Sequence, residues 1–305
     1  MRIMNTTRFE HHITVEQPSQ VLDLLLNYLP ADCTLSKQQI KQVMQKGAVW
    51  LTPASTDRFI STEDARQHSR HTQRLRRAKK QLKIGDCLHF YYDCELLNSE
   101  PPACELISDL GSYSVWFKPC GTLSQGSKWS DHCTITRWSE KNLQPERPAF
   151  LVHRLDRATS GLMLIAHSKQ AAQKLSQLFE KRQIEKRYQA QVHGEFPTTP
   201  VSVTTPIDER TAVSHFSRLN YNAAEQCSLI DVQIETGRKH QIRKHLAELD
   251  MPIIGDRLHG VEQQIRSGLD LRLCAYELRF ECPFKHTPQH FKLERKLAPW
   301  IQTDG

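Results

Sequence analysis

Leu162-Met163-Leu164-Ile165-Ala166 is an unbroken run of apolar residues that begins directly after the glycine of a polar stretch, Gly161. A strand with one wet face alternates apolar and polar side chains, so an uninterrupted run of this kind reads as a strand buried on both faces. An amphipathic helix is expected next, from Ala171 to Gln183, with Leu175, Leu178 and Phe179 on its inward side. Further strands are expected at 113–118, 186–192, 228–234 and 273–280, and a helix from about His240 to Leu249. Runs of strands with few alternating helices predict an α+β fold around a mixed, largely antiparallel central sheet.

The first hundred residues read differently. Apolar residues recur at helical spacing from Val21 to Leu29 and from Ser36 to Gln45, with Ser36 placed to cap the second helix. Gly47-Ala48-Val49-Trp50-Leu51 is a turn into a strand, and Lys83-Ile84-Gly85-Asp86 followed by Cys87 to Tyr92 is another. Asn98-Ser99-Glu100-Pro101-Pro102 is the best linker, because paired prolines interrupt both helix and sheet. The expected division is a small α+β domain at 1–95, a linker at 96–108 and a large domain at 109–305. The helix-helix-strand-strand order of the small domain resembles the RNA-binding domain named after ribosomal protein S four.

The chain has 305 residues, 38% hydrophobic and 25% charged, and no stretch approaches the roughly 18 consecutive apolar residues that would span a bilayer. Met1-Arg2-Ile3-Met4-Asn5 lacks the apolar core of a secretory signal, so a cytoplasmic location is expected, with no membrane partner. The nine cysteines never form C-x-x-C, which points to reduced, packed thiols and to no metal site. A formal charge of +7 favours a polyanionic partner. Much of it is concentrated between His68 and Lys80, at Arg70, Arg74, Arg76, Arg77, Lys79 and Lys80, without an acidic neighbour in the stretch. Such a run is either a solvated face or a phosphate-contacting patch, and Arg74, Arg76, Arg77, Lys79 and Lys80 are the candidate RNA contacts.

The chemistry-bearing stretch is Phe150-Leu151-Val152-His153-Arg154-Leu155-Asp156-Arg157-Ala158-Thr159-Ser160-Gly161, a polar turn delivered by a rigid strand. By itself, an aspartate beside two arginines is more often a structural ion pair than a reacting group. Four other segments accompany it in order: Lys118-Pro119-Cys120-Gly121, Lys186-Arg187-Tyr188-Gln189-Ala190, Glu235-Thr236-Gly237-Arg238-Lys239-His240-Gln241-Ile242-Arg243, and Pro252-Ile253-Ile254-Gly255-Asp256. Together they resemble the RluA-type RNA pseudouridine synthases over most of residues 113–260.

The resemblance implies that Asp156 is the catalytic carboxylate, that Tyr188 lies against the target base, and that Arg243 pairs with Asp156. It also implies that Arg154 enters the position vacated by a flipped uridine, unless it is a phosphate contact or structural pair. Lys239 and Arg238 are candidate RNA contacts, Arg238 equally a brace for the active-site loop. His153 and His240 read as oriented structural histidines. Isomerising uridine to pseudouridine needs no redox cofactor and no metal, and the chain has neither a dinucleotide fingerprint nor a phosphate-binding glycine loop. A carboxylate serves it as nucleophile or as ribose base, and a paired guanidinium would favour its charged form. A glycosidase would need a second facing carboxylate, for which only Glu235, in a turn, is available.

Glu209-Arg210-Thr211-Ala212-Val213-Ser214-His215-Phe216 departs from the family's strand at that place, lacking its lysine and tyrosine, which puts substrate contacts there in doubt. The expected partner is RNA, ribosomal RNA ahead of transfer RNA on account of the N-terminal domain, and the expected state is a monomer.

Overall fold

The computed structural model describes residues 7–54, 72–260 and 268–302. Its contacts divide the chain into two compact units, Met1–Pro101 with Gly126–Thr134, and Pro102–Gln125 with Ile135–Gly305.

The first unit contains β1 (Arg8–Thr14), β2 (Ser19–Gln20), α1 (Val21–Asn27), α2 (Lys37–Gln45), β3 (Val49–Thr52), β4 (Gln73–Arg74), β5 (Gln81–Leu82), β6 (Cys87–Asp93) and α3 (Cys94–Asn98). Four strands form an antiparallel sheet in the order β1-β6-β3-β4. Ser36 caps α2 as expected: its hydroxyl accepts the Gln39 N–H, and the Gln39 side chain accepts the Ser36 N–H at 2.8 Å. Leu25, Ile40, Met44, Leu51 and Phe90 form the centre of the core. Strand β1 was not expected, because its inward positions, Phe9, His11 and Ile13, include a histidine that breaks the apolar alternation.

The second unit contains β7 (Glu105–Asp109), β8 (Tyr113–Lys118), α4 (Ile135–Asn142), β9 (Phe150–Leu151), β10 (Ser160–Ala166), α5 (Lys169–Glu180), β11 (Glu185–His193), β12 (Val201–Val203), β13 (Ser214–Asn222), β14 (Cys227–Ile234), α6 (Gln241–Glu248), β15 (Leu273–Glu281) and β16 (Pro288–Lys292). The sheet runs β12-β13-β14-β11-β15-β10-β8-β7, with β16 on β15 and β9 on β10. Only the β10–β15 pairing is parallel among the described strands, so the sheet is mixed and largely antiparallel, as the α+β reading expected. The expected linker at 96–108 is shorter than the sequence suggested. Leu97 is buried in the core of the first unit, and Glu105–Asp109 pairs with β8, leaving the two prolines as the break.

Every residue of β10 is buried. Leu162, Leu164 and Ala166 face one core, with Leu175 of α5 and Leu293 and Ile301 of the C-terminal segment. Met163 and Ile165 face the other, with Ile135 of α4 and Ile242 and Leu246 of α6. Each large aliphatic side chain buried this way contributes roughly 1.5–3 kcal/mol. The turn that enters β10 therefore starts from a strand held on both faces.

Candidate active site

Asp156 lies in the loop between β9 and β10, and the backbone on either side of it is bonded. Ser124, itself buried, brackets Leu155: its hydroxyl accepts the Leu155 N–H at 3.0 Å and donates to the Leu155 carbonyl at 2.6 Å. The Arg157 carbonyl accepts the Gly121 N–H at 2.8 Å and the Lys118 ammonium at 3.4 Å. Lys118 is fully buried and donates also to the Thr122 carbonyl at 3.0 Å, so it ties the turn at 118–122 to the loop. Burial lowers its pKa to about 8, against the pull of nearby Cys120, Cys104 and Asp156. His153 is the structural histidine expected: its Nε2 accepts the Leu164 N–H at 2.9 Å, and its ring stacks on Phe179 at 4.3 Å. Burial, with Lys186 adding to it, pushes its pKa down to about 3, leaving a neutral acceptor.

Where the loop joins β10, Gly161 has φ +131°, and a Cβ there would lie 2.4 Å from the Ala275 carbonyl oxygen of β15. Only glycine lets the two strands approach this closely.

Tyr188 is buried on β11, opposite Val232 of β14 and Ala275 of β15, at a bulge in the β11–β15 ladder. Burial first, and the Asp156 charge second, push its phenol pKa up, so the hydroxyl stays protonated. The carboxylate of Asp156 is about one-third exposed and the His240 ring faces it, with Nε2 3.9 Å from Oδ2, an ion pair only when that ring is protonated.

Arg243 corrects the sequence reading. Its ion pair is with Asp256 rather than Asp156, through Nε to Oδ2 at 2.7 Å and Nη2 to Oδ1 at 2.6 Å. The physical reason is local geometry. Gly255 turns the chain at φ +78°, and Asp256 then accepts the Leu258 and His259 N–H groups at 3.0 Å each. Burial opposes the charge, but the Arg243 hydrogen bond and these two amides outweigh it and hold the Asp256 carboxyl below its ordinary value. A buried carboxylate already ordered by amides suits the flat guanidinium fork better than a half-exposed one.

A cleft of about 1690 Å³ opens over this region, lined by His153, Arg154 and Asp156 of the loop, by Lys186, and by residues 233–239. Arg154 and Lys239 are exposed along it. Arg238 braces: its Nε donates to the Thr211 carbonyl at 2.9 Å, and its N–H to Gln241 Oε1 at 3.0 Å. Tyr188 and Arg243 do not line the cleft.

The profile of the family described as RNA pseudouridylate synthase matches residues 112–248. A tRNA pseudouridine synthase C of Yersinia pestis is 35% identical over 174 residues, 49% of this chain and 67% of that protein. The chain belongs to the RNA pseudouridine synthase family. An uncharacterized RNA pseudouridine synthase of Bacillus subtilis is 38% identical over 123 residues, 36% of this chain and 41% of its own length. One from Aquifex aeolicus is 28% identical over 99% of both chains. The solved structure of human RNA pseudouridylate synthase domain containing 1 shares the fold, with a TM-score of 0.55 at 19% identity over 66% of this chain and 90% of that one.

The basic stretch of this synthase divides in two. Asp131 pairs with both Arg74, whose Nε lies 3.1 Å from its Oδ2, and Arg76, whose Nη2 lies 2.5 Å away, and offsets one of the two charges. Arg74 also lies over the Trp50 ring at 4.2 Å. The expectation that nothing acidic offsets these arginines is therefore corrected; their partner comes from a distant part of the sequence. Arg77, Lys79 and Lys80 are exposed, while Arg70 lies outside the described residues. Asp256 and His259 were missed as part of the site. The glycine before Asp256 was a signal for a turn; His259 carried none.

Proposed function

We propose that this synthase isomerises uridine in ribosomal RNA, with Asp156 as the reacting carboxylate. The observation that carries this is the placing of Asp156 in the wall of a large cleft, on a loop bonded at the residue before and the residue after it. In the isomerisation the bond from N1 to C1′ breaks, C5 bonds to C1′, and the proton leaving C5 is matched by one gained at N1. Asp156 acts on the ribose, either by attacking C1′ or by taking the proton of C2′. Tyr188, whose protonated hydroxyl feels the Asp156 charge, is assigned to the target base, although it is buried and does not line the open cleft. The reaction is redox-neutral within one nucleotide, so it needs no electron carrier; a cytoplasmic monomer is the state we assign to the chain.

A uridine held in a helix or folded loop has to leave its stack before C1′ is reachable. Arg154, exposed at the cleft, is the side chain assigned to the vacated position, and Lys239 with Arg77, Lys79 and Lys80 to phosphates. The ribosomal target is favoured by analogy with the small RNA-binding domain that the first unit's helix-helix-strand-strand order resembles. The name of the Yersinia pestis relative supports transfer RNA as the second reading.

Pseudouridine mapping of total RNA, with and without the gene and after complementation by wild type or Asp156→Asn, tests this. A ribosomal site that disappears with the gene and returns only with wild type is expected. Restoration by Asp156→Asn would remove Asp156 from the chemistry, and loss of a transfer-RNA site alone would select the second reading.

A further inference from the structure

His259 belongs to no motif, yet its ring is linked to the carboxylate assigned the chemistry. Its Nε2 lies 3.1 Å from His240 Nδ1, the rings meeting edge to face at 5.3 Å, and His240 Nε2 lies 3.9 Å from Asp156 Oδ2. The backbone at both residues is constrained. His240 stands at the start of α6 in the left-handed region, φ +55°, a conformation unfavourable for a residue with a Cβ and kept only when its surroundings impose it. His259 gives its backbone N–H to Asp256, whose carboxylate is gripped by Arg243. Arg243 thus reaches Asp156 indirectly, through Asp256, His259 and His240.

We propose that His259 and His240 are positioning residues, a two-imidazole chain that aims the Asp156 carboxylate and supplies it a hydrogen bond during the isomerisation. This rests on the reading that Asp156 is the reacting carboxylate. A neutral imidazole has one N–H and one bare nitrogen, so two neutral rings in contact share one proton with a direction. If His259 Nε2–H donates to His240 Nδ1, the proton of His240 sits on Nε2, facing Asp156. The opposite sense turns a lone pair on the carboxylate. Only the first arrangement gives Asp156 a donor, and that bond forms only if the 3.9 Å separation shortens when substrate binds.

Both rings are neutral near pH 7. Burial lowers the His240 pKa; Asp156 pulls it up, while Arg243, His259 and Lys239 push it down. Burial lowers that of His259 as well, with Asp256 and Asp156 pulling up and Arg243 and Lys244 pushing down. Acidification that charges His240 puts a proton on both of its nitrogens, so Asp156 keeps its donor and the direction set by His259 no longer matters.

The test uses the full chain and total RNA from cells lacking the gene, with pseudouridine counted by mass spectrometry in single turnover. His259→Phe is expected to slow conversion roughly tenfold, the scale of one lost hydrogen bond to a charged group, with RNA affinity unchanged. Its deficit should shrink as the pH falls, because a charged His240 carries a proton on Nε2 whether or not His259 is present, and His240 has lost a neighbour that lowers its pKa. His259→Gln, whose amide carries a donor near the place of Nε2, should recover most of the rate. Wild-type speed and profile in His259→Phe, or a Gln variant as slow as Phe, overturns the proposal. Nitrogen-15 spectra of the wild-type chain give a readout that needs no variant to fold. His259 protonated on Nε2 and His240 bare on Nδ1 supports the chain, and the reverse overturns it. Asp156→Asn in the same assay separates the two ideas: product from that variant defeats the underlying reading, whereas no product from it beside a silent His259→Phe defeats the imidazole chain alone.

Discussion

Arg243 grips both carboxylate oxygens of Asp256, at 2.7 and 2.6 Å, with the two side chains 4% and 0% exposed. A charge this deeply buried is tolerated because its partner is present, so the pair should be judged by what happens when one member is removed. Arg243→Ala and Asp256→Ala should each cost roughly 3–5 kcal/mol, the range for stranding one buried charge. The double variant should fall well short of the sum. Urea denaturation of the four proteins measures this. An Arg243→Ala protein of wild-type stability with a slowed reaction would mean that the arginine serves Asp156 directly.

Gly161 should tolerate no side chain. A methyl group would overlap the Ala275 backbone, 2.4 Å from its oxygen and 2.5 Å from its nitrogen, in a backbone region at φ +131° that side chains avoid. Gly161→Ala should lose at least roughly 1–3 kcal/mol, the usual cost of such strain. It should also lose activity beyond the stability effect, because the strand that shifts carries the Asp156 loop. Full activity in a folded Gly161→Ala protein would show that the loop is indifferent to β10.

His153 makes stability depend on pH in a definite direction. Its folded pKa is about 3 against an ordinary 6.5. Between those values the unfolded chain takes up a proton that the folded one refuses, so stability is fully present above about pH 6.5 and declines as the pH falls towards 3. His153→Gln keeps an oxygen acceptor for the Leu164 N–H but does not titrate. Urea midpoints from pH 7 to pH 4 should fall less steeply for this variant than for wild type. Parallel slopes would place the acid sensitivity elsewhere.

The large unit was legible because its cues are local. The unbroken run of β10 announced a strand covered on both faces, whereas Asp156 in the loop before it drew its assignment from the company of the other motifs and not from its own surroundings. The expected helix and strand at Ala171 and Lys186 fall within a few residues of α5 and β11. What was not legible depends on which distant side chains meet. The family resemblance paired Arg243 with Asp156, but the choice of Asp256 as its partner follows from two amides that organise that carboxylate after Gly255. Arg74 and Arg76 looked unopposed because Asp131 lies more than fifty positions away in sequence. A run of like charges reports local composition and is silent about a counter-charge returning from elsewhere.

That counter-charge yields the last prediction. Arg74 and Arg76, 16% and 22% exposed at the side chain, spend their charge on Asp131, whereas Arg77, Lys79 and Lys80 face water. Each phosphate neutralised adds roughly 0.7–0.9 to the slope of log affinity against log salt. Lys79→Ala and Lys80→Ala should therefore each flatten that slope by somewhat under one in a filter-binding titration with total RNA, leaving thermal stability unchanged. Arg74→Ala should do the opposite, lowering the melting temperature of the first unit and leaving the slope alone, since it removes the cation over Trp50 and leaves Asp131 paired with Arg76 alone. A slope that fell as much for Arg74→Ala as for Lys79→Ala would show that RNA displaces Asp131 and recruits the inner arginines after all.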